Sequence, residues 1–322
     1  MDIIEPGIYL NLNEDRYHAD PALGSSDLKK LATDPASYWW SSRLNPLWEP
    51  EVLTPALRIG RARHCIVLDG VNAFERQYAR KTENWSTKAG RAEKEEFELH
   101  GWEPLDADVY DRTLATKAIV RANPYLRETF AGPIAKEVSV FWTARGIRRK
   151  ARFDALKPLA IVDLKNLSNE RAIHFPMACL RYIDAYKAHI QAEAYREGRL
   201  AMRQLYEDGL VRGATDADES LLEECVAATE WAFVFCFLQS QGAPISHAFQ
   251  LSYRELPGGT EMNPIFEAGR RMIDRAETNY LRCLETFGTD TAWIEPRPIQ
   301  ELDSSQLSIP SWFLRDAGWE GV

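Results

Sequence analysis

Eight consecutive apolar residues, Trp231–Leu238 (WAFVFCFL), constrain the fold more than any other stretch of the chain. The run has the length of a strand and shows none of the apolar–polar alternation of a strand with one wet face. It predicts a strand buried on both faces, inside a sheet with packing layers on either side. Amphipathic stretches supply those layers. Helices are expected over Thr54–Leu68, where Pro55 sits in the first turn, over Asp106–Arg121, ended by Asn123-Pro124, over Met177–Leu205, and over Pro264–Phe287, where Gly288 is placed to cap. A short helix from Ser25 or Ser26 to Thr33 ends at Asp34-Pro35. Residues 1–24 read as loop, 80–104 as a solvated segment with a helix around Arg91–Glu98, and Trp293–Trp319 as a loop-like tail.

A strand meander precedes the third of these long helices. Lys136–Thr143 alternates, with Glu137, Ser139 and Phe141 on one face and Val138, Val140 and Trp142 on the other. Ala144-Arg145-Gly146 is a turn, and Ile147–Ala155 returns with Lys150, Arg152 and Asp154 on one face. Ala160–Asn166 (AIVDLKN) is the third strand; Asp163 and Lys165 share a face, while Val162 and Leu164 point into a core. Glu137, Asp154, Asp163 and Lys165 are thereby expected to converge on one sheet face. The other D-x-K, Asp27-Leu28-Lys29, reads as an ordinary first helical turn.

The 322 residues carry a net charge of −9, which argues against a general nucleic-acid coat but allows a DNA enzyme with a local basic channel. The five cysteines are scattered and form no C-x-x-C, so neither a zinc site, a disulfide framework nor an iron–sulfur cluster is suggested. No secretory signal and no membrane span is expected, and a reducing cytoplasm fits.

Paired carboxylates with a lysine suit phosphodiester hydrolysis, in which a divalent metal readies water and offsets charge at phosphorus and at the leaving oxygen. Mg²⁺ takes oxygen ligands, one or two of them carboxylates. Asp154 and Asp163 supply these, Glu137 is a candidate third, and the main-chain carbonyl of Leu164 can add another oxygen. Lys165 would orient the attacking water. Gly60 and His64 share a face of the Thr54–Leu68 helix, glycine there permits close approach of another backbone, and His64 is either a satisfied core histidine or a ligand. Gln191 and Tyr195 share a face of the following helix.

Gly60-x-x-x-His64, Glu137, Asp154, Asp163-x-Lys165 and Gln191-x-x-x-Tyr195, in that order, resemble the PD-(D/E)XK nucleases of the RecB-like branch. The segment Ser25–Tyr38, the helix stretch GRARHCIVLD and the strand WAFVF are similar to the C-terminal nuclease domain of RecE (exonuclease VIII) and its phage relatives. The likeness spans nearly the whole chain. It departs at Gln239, where an acidic residue is frequent, and at Asn166, where threonine is common.

The resemblance implies an α/β (α+β) restriction-endonuclease-like core, a central mixed sheet flanked by helices. A single domain over 1–322 is expected, with a mainly helical part (1–130), a catalytic sheet-and-helix core (131–255) and a C-terminal helix and tail (256–322), lacking the large N-terminal extension of some relatives. It further implies a Mg²⁺-dependent exonuclease, with Mn²⁺ an alternative, that digests linear duplex DNA from the 5′ end. The 3′ strand is left for an annealing protein in recombination, and the enzyme forms ring oligomers. By the match, Asp154 and Asp163 are metal ligands, Lys165 is the catalytic lysine, His64 is close to metal or phosphate, and Gln191 and Tyr195 support the site or contact DNA.

Arg80, Lys88, Arg91, Arg148 and Arg152 are candidate phosphate contacts, with a solvated hairpin tip the alternative for the cluster around Arg148. Trp85 is either a wedge at the duplex end or ordinary packing, and Tyr38, Trp39, Trp40 and Trp48 are core or base-stacking groups. An endonuclease or single-strand nuclease on the same core and a non-catalytic DNA-binding protein are the competing functions.

Overall fold

The computed structural model describes residues 3–49 and 54–296. A short strand, β1 (Gly7–Tyr9), leads into helices α1 (Glu14–Ala19), α2 (Ser25–Thr33) and α3 (Pro35–Ser41). A mainly helical arm follows: α4 (Pro55–Leu68), α5 (Val71–Gln77), β2 (Tyr78–Lys81), α6 (Lys88–His100), β3 (Glu103–Asp106), α7 (Ala107–Ala122) and α8 (Pro124–Thr129). The meander is β4 (Ala135–Ala144), β5 (Ile147–Lys157) and β6 (Ala160–Leu167). The crossover contains α9 (Phe175–Ala185), α10 (Ala188–Glu207), β7 (Val211–Arg212) and α11 (Asp216–Ala227), and β8 (Glu230–Gln239), β9 (Ser246–Leu256), β10 (Gly259–Met262) and α12 (Pro264–Phe287) complete the order.

Eight strands form one mixed sheet in the order β10-β9-β8-β6-β5-β4-β1-β7. β6 and β8 are parallel neighbours, and β8 is antiparallel to β9, so WAFVFCFL lies inside the sheet. Phe233, Phe235 and Phe237 pack into the core shared with α2, α10 and α12. Ala232, Val234, Cys236 and Leu238 pack on the opposite face with Val120 of α7 and Leu126 of α8. Both faces of β8 are thus covered, as a strand without polar alternation requires. No helix among the described residues is long and apolar enough to cross a membrane.

Four expectations need correction. Residues 1–24 are not all loop: β1 pairs antiparallel with β4 and parallel with β7. Three residues are too few to show a period. The long helix over Met177–Leu205 is two helices, broken where Lys187 takes a left-handed φ of +50°. No glycine, proline or asparagine marks that break. The solvated segment at 80–104 contains a parallel ribbon, β2 with β3, joined through α6. Gly60 meets no close backbone; a Cβ there would find only the Asn166 amide, at 3.9 Å. The tail from Arg297 on lies outside the described residues.

Candidate active site

The meander's alternation fails at one level, and the site forms there. Along β5, Ala151, Phe153 and Leu156 all face the α10 side, while Ala155 faces away. Along β4, Ala135, Val138 and Val140 all face the α10 side. Both strands therefore slip between these positions, at Glu137 and Asp154. Glu137 adopts φ +51°, and the β4–β5 ladder skips it, passing from Lys136–Ala155 to Val138–Phe153. An irregular residue of this kind re-aims side chains beside functional sites.

β5 and β6 part at the same level. Their ladder ends at Ala155–Val162. The next donor, the Leu164 amide, is taken by the Asp154 carboxylate, 2.8 Å to Oδ2. Asp163 is fully buried. Its Oδ1 accepts from the Lys165 ammonium at 2.7 Å and from the Gln191 amide at 2.8 Å. Its Oδ2 is buried with no hydrogen-bond partner among the described residues. An orphaned carboxylate oxygen is costly unless a cation or a donor meets it.

His64 comes to the parted strands on α4. Its Nε2 lies 2.9 Å from the Leu164 carbonyl, which can only accept, so Nε2 donates and Nδ1 is the ring nitrogen turned toward the acids. Nδ1 is 3.8 Å from Asp154 Oδ2. Arg63 ties the helix down, donating to the Ser240 carbonyl at 3.0 Å and to the Asn166 amide oxygen at 3.4 Å. One ligand atom each from His64, Glu137 and Asp154 lies within 4.8 Å of the others. Two carboxylates and one imidazole at this spacing fit a divalent metal; Asp163 stands outside this trio and acts on it through its charge on Asp154.

The electrostatics agree. Burial raises the Asp154 carboxyl, and Asp163 raises it further against the pull of His64. Glu137 is pushed up to about 7 by desolvation and by Asp154, with Arg152 and His64 opposing. Burial lowers the Lys165 ammonium, but Asp163 and Asp154 outweigh it, so Lys165 stays protonated. Tyr195 packs against Phe153 and Phe233, and burial holds its phenol well above its ordinary range.

The two groups reaching this level were each overlooked in the sequence. Lys29, in the other D-x-K, is more than the first turn of a helix: it stands near Lys165 and Asp163, and burial, then Lys165, lowers its ammonium to about 8. Arg63 sits one residue before the singled-out histidine. Lys29's signal was the repeated tripeptide itself; Arg63 had none.

The Leu164 carbonyl, expected as a metal oxygen, accepts a hydrogen bond from His64. The arginine cluster is spent inside the protein in place of the expected phosphate contacts. Arg148 donates to buried Asp20, with Nη2 at 3.0 Å. Arg152 pairs with Glu137 at 2.9 Å and lies over Tyr17. Arg149 is fully buried between Glu277 and Glu197. Arg80 makes a two-pronged pair with Asp111 on the surface. Lys88 and Arg91 are exposed on α6. Tyr38 and Trp39 are core, Trp40 is exposed, and Arg43 covers Trp48.

A family model described as a PDDEXK-like domain of unknown function (DUF3799) matches residues 24–207, more than half of the chain. The chain belongs to this family. The match includes α4, the meander and α10, and so every residue of the cluster just described. A PDDEXK-like domain that keeps both acids and the lysine is a nuclease-type hydrolase. Among solved structures, a protein titled "Putative exonuclease" from Eubacterium rectale is similar over 92% of this chain and 97% of its own, with a TM-score of 0.51 and 15% identity. At that identity the likeness speaks to the fold. No curated protein matches the chain.

Proposed function

We propose that this PDDEXK-like domain is a Mg²⁺-dependent exodeoxyribonuclease that digests linear duplex DNA 5′ to 3′, with Mn²⁺ able to replace Mg²⁺. The observation that carries the reading is the state of Asp163: one oxygen held by Lys165 and Gln191, the other buried with no partner among the described residues, and its charge felt by Asp154. Asp154, Asp163, His64 and Glu137 would hold the cation. When bound, it would supply Lewis acidity at the scissile phosphate and a more acidic water. The side chains do the rest. Lys165, protonated, donates to a developing phosphate charge from a fixed position. Gln191 sets the Asp163 carboxylate, so that its free oxygen points the same way in every turnover. Asp154 is fixed by the Leu164 amide, and Arg152 limits the charge that Glu137 adds to the centre.

Polarity, the role in recombination, the annealing partner and the ring assembly are supported by the sequence likeness of Ser25–Tyr38, the α4 stretch and WAFVF to RecE-type nucleases. The test is digestion of linear duplex labelled at the 5′ or the 3′ end, with Mg²⁺ or EDTA, beside a closed circle. Early release of the 5′ label, an intact circle, and a loss of about 10²–10³-fold in rate for Lys165→Ala are expected. Cutting of the circle makes the activity endonucleolytic. No metal-dependent cleavage by folded protein sinks the enzymatic reading.

A further inference from the structure

The helical arm contains a second built feature, one and a half turns along α4 from His64. A cavity of about 210 Å³ opens between α4, β3, α7 and the 82–87 loop, with Pro55, Ile59, Trp85, Leu105 and Val109 among its apolar walls and Arg58, Lys81 and Asp106 as its charged lining. It is smaller than the ~300–1,000 Å³ of a drug-sized ligand site, and suits one planar ring system. Pro55 and Ile59 share one flank of α4, while Gly60 and His64 lie on the neighbouring flank.

The loop that presents Trp85 is held rigidly. The Glu93 carboxylate accepts from the Thr82 amide at 2.8 Å, the Thr82 hydroxyl at 2.8 Å, the Glu83 amide at 3.3 Å and the Trp85 indole at 3.0 Å. The loop also presses on α6 so closely that a Cβ at Gly90 would meet the Asn84 carbonyl at 2.0 Å. Phe97 packs edge-on against the half-buried indole. Folding a short loop needs less than this, and the outcome is a preset indole at the lip of a cavity.

Charge is arranged around it. The Lys81 and Lys94 ammonium groups lie 5.2 and 5.8 Å from the indole centre, and Lys81 shares its charge with Asp106 at 3.1 Å. The first two turns of α6 carry Lys88, Arg91 and Lys94, and the acids Glu95, Glu96 and Glu98 follow them toward the far end. An aromatic plane, a slot of mixed apolar and charged lining whose Arg58 and Lys81 are paired with Glu103 and Asp106, and cations on one side are parts that can hold an unpaired base and its phosphate.

We propose that this cavity is a nucleobase subsite that takes one unpaired base of the DNA strand, stacked on Trp85, with its phosphate near Lys88 and Arg91. This rests on the nuclease reading and extends it. Ile59 to His64 is about 7.5 Å along the helix, a span that two or three nucleotides cover at ~3.4 Å per step.

The experiment measures binding of the full chain, in EDTA, to a duplex with a single-stranded tail and to a blunt duplex. Trp85→Ala is expected to weaken binding of the tailed DNA about tenfold to hundredfold, with Trp85→Phe restoring most of it. Ile59→Tyr, which fills the cavity while leaving Trp85 and Glu93 alone, should act like Trp85→Ala. An abasic site scanned along the tail should reproduce the loss at one position in the wild type and add nothing in either variant. Tail affinity unchanged in both variants, with helix content intact by circular dichroism, overturns the subsite. Cleavage in Mg²⁺ is read separately: cleavage without these binding losses overturns only the subsite, and the losses without cleavage overturn only the nuclease reading.

Discussion

The two aspartates of the site should respond with opposite sign when neutralised in metal-free protein. Asp163 is fully buried and balances Lys165, whose side chain is 15% exposed. Asparagine there keeps one acceptor but removes the charge from two charge-assisted bonds and leaves Lys165 without its counter-charge. Each such bond loses about 1 kcal/mol on becoming neutral, and a buried ion without its partner adds more. A net loss of about 2–4 kcal/mol follows, or roughly 4–8 °C in Tm for a large domain. Asp154 is the reverse case. Burial and its neighbour Asp163 oppose its charge, and asparagine can still accept from the Leu164 amide. Asp154→Asn should therefore raise Tm in EDTA. Thermal unfolding of both variants with and without Mg²⁺ checks this: Mg²⁺ should raise the Tm of the wild type by mass action and of neither variant. If Asp154→Asn lowers Tm as much as Asp163→Asn does, the assignment of which carboxylate is balanced is wrong.

Three further outcomes are expected. Lys29→Met should stabilise the protein at pH 7, because the folded state holds this ammonium at about 8 against an ordinary 10.5; the wild type recovers that loss as pH rises from 8 to 10.5, so the gain from Met should shrink over that window in urea titrations. Gly269→Ala, on α12, would place a Cβ 2.4 Å from the His189 carbonyl of α10; overpacking of about 1–3 kcal/mol should outweigh the ~1 kcal/mol that alanine gains in a helix, and a raised urea midpoint would contradict the close crossing. Arg149→Met removes the cation between Glu277 and Glu197 and should cost about 3–5 kcal/mol, read as a lower urea midpoint with unchanged slope.

The layered fold was legible because its strongest signals are local. WAFVFCFL has no polar residue to turn outward, and Pro264–Phe287 carries its own proline start and glycine stop. The pairing of Asp163 with Lys165 was legible from a period of two. The convergence of the acids was expected for a reason that does not hold throughout: strict alternation places Glu137 and Asp154 correctly only up to the slip, which exists because two strands part there. The arginines of β5 misled because a charge in a sequence does not show its partner. Asp20 and Glu277 lie more than a hundred residues away from Arg148 and Arg149. Lys187 carries no residue type that announces a helix break, and β1 and β7 are too short for any pattern to register.

The place of β1 sets a timetable for folding. Gly7–Tyr9 is seated between β4 and β7, with Ile8 opposite Val140 on one side and Val211 on the other. At about 5–20 residues per second of synthesis, its second neighbour arrives roughly 10–40 s after it. Until β4 is made the first strand has no seat at all, and from then until β7 arrives its other edge stays open. Completion of the sheet is therefore a late, long-range event, and refolding in vitro should be slow for the same reason: loop closure over roughly 200 residues precedes any reward from the contacts it makes.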